Sequence, residues 1–381
     1  MTPSTNHPAR RARRTVPFSR ALSCAESTPA YPSDPWLRLD QPGELIAALP
    51  AMLGFVPERS LVVAVLCRPS PGAAAAIEAV VRFDLDAVSD PRHREQFTEC
   101  VASICAHQEA TGVLAVLVED RPIPAHAGAL LDALGASGIA VRGAWSVPAI
   151  AAGARYRSLF DPAAGGRVPD PASSPVALAH VLDGKQIRRS RRELTAVLRP
   201  DRPLGAQVHP RIGPAVARYR DGLSAATRTG RARPYQRGAL EWVLWQIADA
   251  ASGAPRAARE LARLAATLRD RSIRDAMYGL ALGDHAEAGE QLWAQLARAT
   301  SGTDRAEAAA LLGFSAYVRG DGPFAGVALT AAVEADADHP MAVLLETSLQ
   351  SGLRPERLRS LAHCGHRIAA DLGVDLGPIA R

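Results

Sequence analysis

Lysine is almost missing from this chain: Lys185 is the single one, and arginine carries nearly all of the positive charge. Cysteine is sparse too, with five residues and no Cys-x-x-Cys pair. That excludes a disulfide framework and a zinc ribbon, and it suits reduced thiols. Cys100 and Cys105 lie beside Val101 and Ile104 in a helical pattern and read as small core residues. No apolar run approaches the roughly 18 residues needed to cross a bilayer, so no membrane partner is expected. Arg10-Arg11-Ala12-Arg13-Arg14 could open an export signal, but Val16–Ala25 contains Pro17 and Arg20 and is too polar for a signal core. A lipoprotein reading of Cys24 fails for the same reason, and a cytoplasmic location is the expectation. There is no phosphate loop, dinucleotide fingerprint or Gly-x-Ser-x-Gly elbow, and Gly135-Ala136-Ser137-Gly138 reads as a tight helix-to-strand turn. No catalytic residue, metal or cofactor is indicated; the cofactor is unknown.

What is present is enough apolar material for real cores, 48% over 381 residues, and two domains are the expectation. Residues 1–35 are rich in Pro, Ser, Thr and Arg without apolar period and read as a disordered basic tail. A start codon placed too early would produce the same composition.

Residues 36–185 predict an α/β domain, a mixed sheet covered by helices. Leu45, Ile46, Leu49, Met52 and Leu53 recur at helical spacing, with a bend or a restart expected at Pro50 and a left-handed cap at Gly54. Leu61–Leu66 is a continuous apolar run, as in a strand buried on both faces. Ile77–Leu85 alternates and should pair with it as a hairpin. Residues 92–109 form a helix with Asp90 as N-cap, 113–118 a strand, 125–134 a helix and 139–147 a further strand. Residues 161–175 hold four prolines with Gly165 and Gly166 and read as a loop, after which Ser174-Pro175 opens a helix through Leu182.

Residues 186–234 read as a basic connector. Within 186–233, twelve arginines face only Glu193, Asp201 and Asp221, a net of +9, while 36–185 nets −4 and 234–381 nets −3. Residues 235–381 are helical by composition, with helices over 236–251, 255–268, 271–282, 285–298, 304–318, 322–335, 340–351 and 355–363. Gly283-Asp284, Ala288, Gly289 and Leu292 recur thirty-seven residues later as Gly320-Asp321, Ala325, Gly326 and Leu329. Gly313, Ala325, Leu329 and Ala332 also match the small and large positions of a tetratricopeptide repeat, so the region resembles a short helical-hairpin array.

The stretch Leu53-Gly54-Phe55-Val56-Pro57-Glu58-Arg59-Ser60-Leu61-Val62-Val63 resembles an actinobacterial family catalogued as domain of unknown function 4192. The resemblance continues at Val81–Leu85, Tyr156–Leu159, Ser173-Ser174-Pro175 and Ser190–Leu194, and spans 36–360. It implies lineage and fold, with no activity to carry over. Family members often have cysteines after the Tyr-Arg-Ser segment; Phe160–Pro169 has none here, which weakens the case for a metal site at that point.

The candidate sites are few. Asp84, Asp86 and Asp120 stand at strand ends, where open α/β sheets bind ligands, although carboxylates there serve turns more often. Arg188, Arg189, Arg191 and Arg192 could contact nucleic-acid phosphates. Only Tyr219 and Tyr235 are near for stacking, and a capping box from Ser190 to Glu193 explains the run equally well. His363-Cys364-Gly365-His366 has the look of a metal cluster but lacks further ligands, so a polar helix end is expected and no metal. The resulting expectation is a non-catalytic binding or scaffold protein that docks another protein through its helical region. The alternatives are a small-molecule-binding or hydrolytic enzyme using the strand-end carboxylates, and a nucleic-acid-associated protein.

Overall fold

The computed structural model describes residues 41–68, 75–86, 91–120, 125–161, 163–182, 186–253 and 256–379. The chain divides into two compact units, with Val56–Ile187 in the first and Arg188–Arg381 in the second; Leu53–Phe55 belong with the second.

The first unit is an α/β domain. In chain order it contains α1 (Pro42–Leu53), β1 (Ser60–Cys67), β2 (Ala76–Asp84), α2 (Pro91–His107), β3 (Gly112–Val118) and α3 (Ala125–Ala136). There follow β4 (Val141–Val147), β5 (Arg155–Ser158), β6 (Gly165–Arg167) and α4 (Pro175–Leu182). The strands form one mixed sheet in the order β2-β1-β3-β4-β5-β6. Only β3 and β4 run parallel, joined by α3; the other neighbours are antiparallel. All eight residues of β1 are buried, as an unbroken apolar run requires. Leu61, Val63 and Val65 of β1 and Val113, Ala115 and Leu117 of β3 share one core with Phe97, Val101 and Ile104 of α2 and Leu130 and Leu134 of α3. Phe97 meets Phe83 edge-on at 4.5 Å.

Four details depart from, or fall outside, the sequence expectations. α1 runs on through Pro50 without a restart. The Pro-rich loop expected over 161–175 contains strand β6. A side chain at Gly165 would meet the Tyr156 carbonyl at 2.6 Å, and one at Gly166 the Tyr156 hydroxyl at 2.6 Å. Only glycine lets this strand lie against β5, and a glycine pair reads as a loop when its neighbour is unknown. β5 was likewise not anticipated as a strand. Asp90, the expected cap of α2, lies outside the described residues.

Cys100 and Cys105 pack against the sheet core, as their helical setting predicts. Burial raises both thiols, Cys105 to about 11, with a further contribution from Cys67 at Cys105. Both therefore stay protonated and poorly nucleophilic near neutral pH.

The second unit is helical: α5 (Arg191–Ala196), α6 (Arg202–Arg228), α7 (Ala232–Ala250), α8 (Ala258–Leu268), α9 (Arg271–Met277), α10 (Ala286–Ala299), α11 (Gly302–Val318), α12 (Gly322–Ala335), α13 (Pro340–Gln350) and α14 (Arg359–Asp371). The centre is α11, where every residue from Ala308 to Val318 is buried. A helix apolar all round is one enclosed by others. A side chain at Gly313 would come within 2.7 Å of Leu329, so α11 and α12 approach closely where the small residue stands.

α6 is the largest element the sequence did not outline. Pro210 and Pro214 lie inside it. It is held at its start by the Asp201 cap, whose carboxylate accepts from the Leu204 N–H at 3.0 Å. Farther along, Tyr219 donates to the Asp270 carboxylate at 2.8 Å, and Gln236 of α7 donates to the same oxygen at 2.9 Å. Asp270 also caps α9 by accepting from the Ser272 N–H. One carboxylate thus ties three helices together. Burial, and then the charge of Asp270, hold the Tyr219 hydroxyl far above its ordinary range.

The signature segment makes a structural junction. Gly54 has φ +70°, and its carbonyl accepts from the Arg188 N–H at 2.8 Å. Phe55 is 3% exposed, and its backbone bridges to Arg188. No heavy atom lies within 4 Å of a Cβ built at Gly54, so a substitution there costs torsional strain alone. Gly54→Val is expected to destabilise by about 1–2 kcal/mol, the usual left-handed penalty, measured as a lowered urea midpoint. An unchanged midpoint would mean the backbone relaxes out of that conformation.

Candidate functional site

Asp84 and Asp86 are brought together at one end of the sheet. Ser60, the first residue of β1, lies opposite Asp84 on one side and Val118 on the other. Arg82 pairs with Asp84 at 3.0 Å, and Arg59 pairs with Asp86. The Asp86 N–H donates to the Asp84 carboxylate at 3.1 Å, which makes a turn. Asp120 is exposed just beyond β3. The preceding Glu119, which sequence reasoning passed over, is the buried one: its side chain is 4% exposed and stands 3.9 Å from Arg59 Nε. Side-chain alternation past the end of β3 was the signal that could have separated the two.

Arg59 itself adopts φ +45°, a strained value for a side chain of its size. Its Nε is buried without a hydrogen-bond partner, facing Glu119. Ser60 is fully buried and both its roles are taken: the hydroxyl donates to the Glu58 carbonyl at 2.6 Å and accepts from Arg82 Nε at 2.7 Å. A serine whose proton is given to a carbonyl has no base to activate it. The cluster is therefore a network of carboxylates held by arginines. Chemically it braces the turn after β2 against the entry to β1.

The basic stretch lies in the second unit. Ser190 caps α5 by accepting from the Glu193 N–H, and the Glu193 carboxylate accepts from the Arg189 N–H at 2.8 Å. Arg189, Arg191 and Arg192 are exposed, and Arg188 is half-buried at the bridge to Phe55.

His363, Cys364 and His366 lie on α14. Arg367 donates to the Cys364 sulfur at 3.0 Å, and His366 Nε2 is buried without a partner. Among the described residues no group of three His, Cys, Asp or Glu side chains could hold a metal ion. The glycine between the histidines is the residue with a tertiary role: a side chain at Gly365 would come within 2.4 Å of the Gly279 nitrogen.

A buried polar cluster in the second unit was missed entirely. Glu307 of α11 lies 3.2 Å from His339 Nε2 and 3.7 Å from Arg274. Tyr278 stands close enough for the charge of Glu307 to raise its hydroxyl further, after burial itself. The Tyr278 hydroxyl and one Glu307 oxygen are buried without partners. His339 also caps α13, accepting from the Ala342 N–H at 3.2 Å. These four residues come from three segments, Arg274 and Tyr278 standing one turn apart at the end of α9, and no local pattern brings Glu307 and His339 to that pair.

Among the described residues no helix is long and apolar enough to cross a membrane. No curated protein matches this chain, and no solved structure does. One family model matches, over residues 42–356, which takes in the signature segment, the sheet, the basic stretch and the helices as far as the end of α13. The chain thus belongs to the family described as Domain of unknown function (DUF4192).

Proposed function

We propose that this is a non-catalytic cytoplasmic binding or scaffold protein whose helical unit docks another protein. The observation that carries the reading is a set of large apolar side chains left exposed on the helical unit. Trp245 on α7 is 73% exposed, and Leu344 on α13 is 58% exposed beside Val343. Exposed tryptophan and leucine are what protein interfaces cover. The α11–α12 hairpin, with Gly313 against Leu329, supports a tetratricopeptide-like array that would present such surfaces. The thirty-seven-residue recurrence does not extend to the turns: Gly320 has φ +83°, whereas Gly283 has φ −113°. Asp321 caps its helix, while the corresponding cap of α10 is His285.

The strand-end carboxylates support a brace better than a reaction centre, because Arg82 and Arg59 occupy them. The test is cross-linking in the native host with the parent chain and with Trp245→Asp and Leu344→Asp. A partner captured by the parent and lost in either variant is the expected result. The reading fails if both variants keep every partner, or if a nucleotide or metal stabilises the parent and that effect vanishes in Asp84→Ala.

A further inference from the structure

The arginines of the basic stretch form a surface far larger than a capped helix end. Of the twelve between 188 and 233, eleven are exposed and Arg188 is half-buried. None is ion-paired with a carboxylate among the described residues. Of the acidic residues of the same stretch, Asp201 caps α6 and faces Arg298, Glu193 closes the cap of α5, and Asp221 stands exposed on α6 three residues beyond Arg218. Arg211 and Arg218 are seven residues apart, two turns on one side of α6. Arg263 of the neighbouring α8 adds to them. Its guanidinium is held 3.9 Å over the Trp242 ring, and its pKa is lowered, by burial first and with the charge of Arg218 acting in the same direction. Like charges kept close, without a carboxylate between them, are costly unless an anion neutralises them.

The chemistry of the face selects the anion. Apart from its arginines, the exposed positions of α6 are small or polar, Ala217, Ser224, Ala225 and Thr227 among them. None of the large exposed apolar residues lies within 188–233. A protein interface would place aromatic or aliphatic anchors there, and a membrane-bound helix would need an apolar face toward lipid, whereas Val208 and Ile212 of α6 are buried in the unit. Single strands need aromatic platforms. The nearby tyrosines are occupied: Tyr219 donates to Asp270, Tyr235 donates to the Tyr219 carbonyl at 3.2 Å, and their rings pack 5.5 Å apart. Trp242 lies beneath Arg263. What remains is a phosphate backbone approached by charge alone. α6 has 27 residues, a length of about 40 Å, roughly one turn of duplex.

We infer that the exposed face of α6, with Arg211, Arg218 and Arg228, together with Arg263 of α8, binds the phosphate backbone of double-stranded nucleic acid without reading its sequence. The inference uses neither Trp245 nor Leu344, so the two readings are tested by different variants.

The test is fluorescence anisotropy of the full chain with a mixed-sequence DNA duplex of about 30 base pairs, across salt from about 50 to 200 mM. Binding should weaken steeply with salt and vary little with sequence. The double variant Arg211→Ser, Arg218→Ser should lower the magnitude of the salt slope by about 2 and weaken binding at least about tenfold at 0.1 M salt. Arg354→Ser with Arg357→Ser makes the same charge change on exposed residues of the connection between α13 and α14, and should leave the slope unchanged. Circular dichroism melts confirm that both variants are folded, and Trp245→Asp should bind as the parent does. The inference is overturned if the parent shows no binding at the lowest salt, if both double variants lose affinity equally, or if affinity resides in Arg10–Arg14. Preference for anionic vesicles or for single strands over the duplex would overturn it as well.

Discussion

Phe314→Ala should lower the stability of the helical unit by about 3–5 kcal/mol, the cost of emptying a buried aromatic site. Phe314 is 1% exposed, within the run of α11 that is enclosed on all sides. Its ring meets Tyr278 edge-on, centroids 4.9 Å apart. Tyr278 is also fully buried, and its hydroxyl already lacks a partner, so it gains nothing by turning into the vacated space. Urea unfolding followed by far-ultraviolet circular dichroism should show a lower midpoint for the helical transition. A loss below about 1 kcal/mol would mean that this contact is not the centre of the unit.

Gly365→Val should be at least as damaging. A side chain at position 365 would lie 2.4 Å from the Gly279 nitrogen, 2.9 Å from its Cα and 3.0 Å from the Asp275 carbonyl. All three are backbone atoms and cannot rotate aside. The reverse contact is equally tight, since a side chain at Gly279 would meet the His366 nitrogen at 2.9 Å. Overpacking commonly costs about 1–3 kcal/mol, and backbone on both sides puts this case at or above the upper end. The contrasting substitution is Gly238→Ala on α7, where nothing lies within 4 Å of the added carbon. There helix propensity alone acts, and a gain of up to about 1 kcal/mol is expected. Added zinc should not rescue Gly365→Val. Rescue of Gly365→Val by metal would restore His363 and His366 to the ligand role that their spacing first evokes.

Local periodicity made most elements legible. Continuous apolar runs marked β1 and β3, alternation marked β2, and helical spacing marked α1, α2 and α3, because each pattern reports which side of one element meets a core. In the helical region the same logic placed α10, α11 and α12 within a few residues of their ends. α14 was displaced at both ends: residues 355–358 take a tighter helical turn before the α-helix begins at Arg359, and it runs on to Asp371, past the expected end at 363. The family was legible for the same reason: the Leu-Gly-Phe segment is a fixed junction, with a positive φ at Gly54 and a buried Phe55, and its wording is constrained by that geometry.

What tertiary structure alone decided is whatever depends on partners distant in sequence. Gly165 and Gly166 form a strand only because Tyr156 leaves no room for side chains. Asp84 and Asp86 could be known as strand-end carboxylates, and Arg82 lies two residues from Asp84 on the same strand, but Arg59 is brought to Asp86 only by the pairing of β1 with β2. Arg274 and Tyr278 stand one turn apart at the end of α9, but Glu307 and His339 reach them only through packing of separate helices. The charge of 186–233 was countable from composition, whereas the exposure of Arg211, Arg218 and Arg228 along one long helix follows from burial of Val208, Ile212 and Ala215 on α6. Composition and period are properties of one segment at a time; a site is a property of several, and only the folded chain brings them to one place.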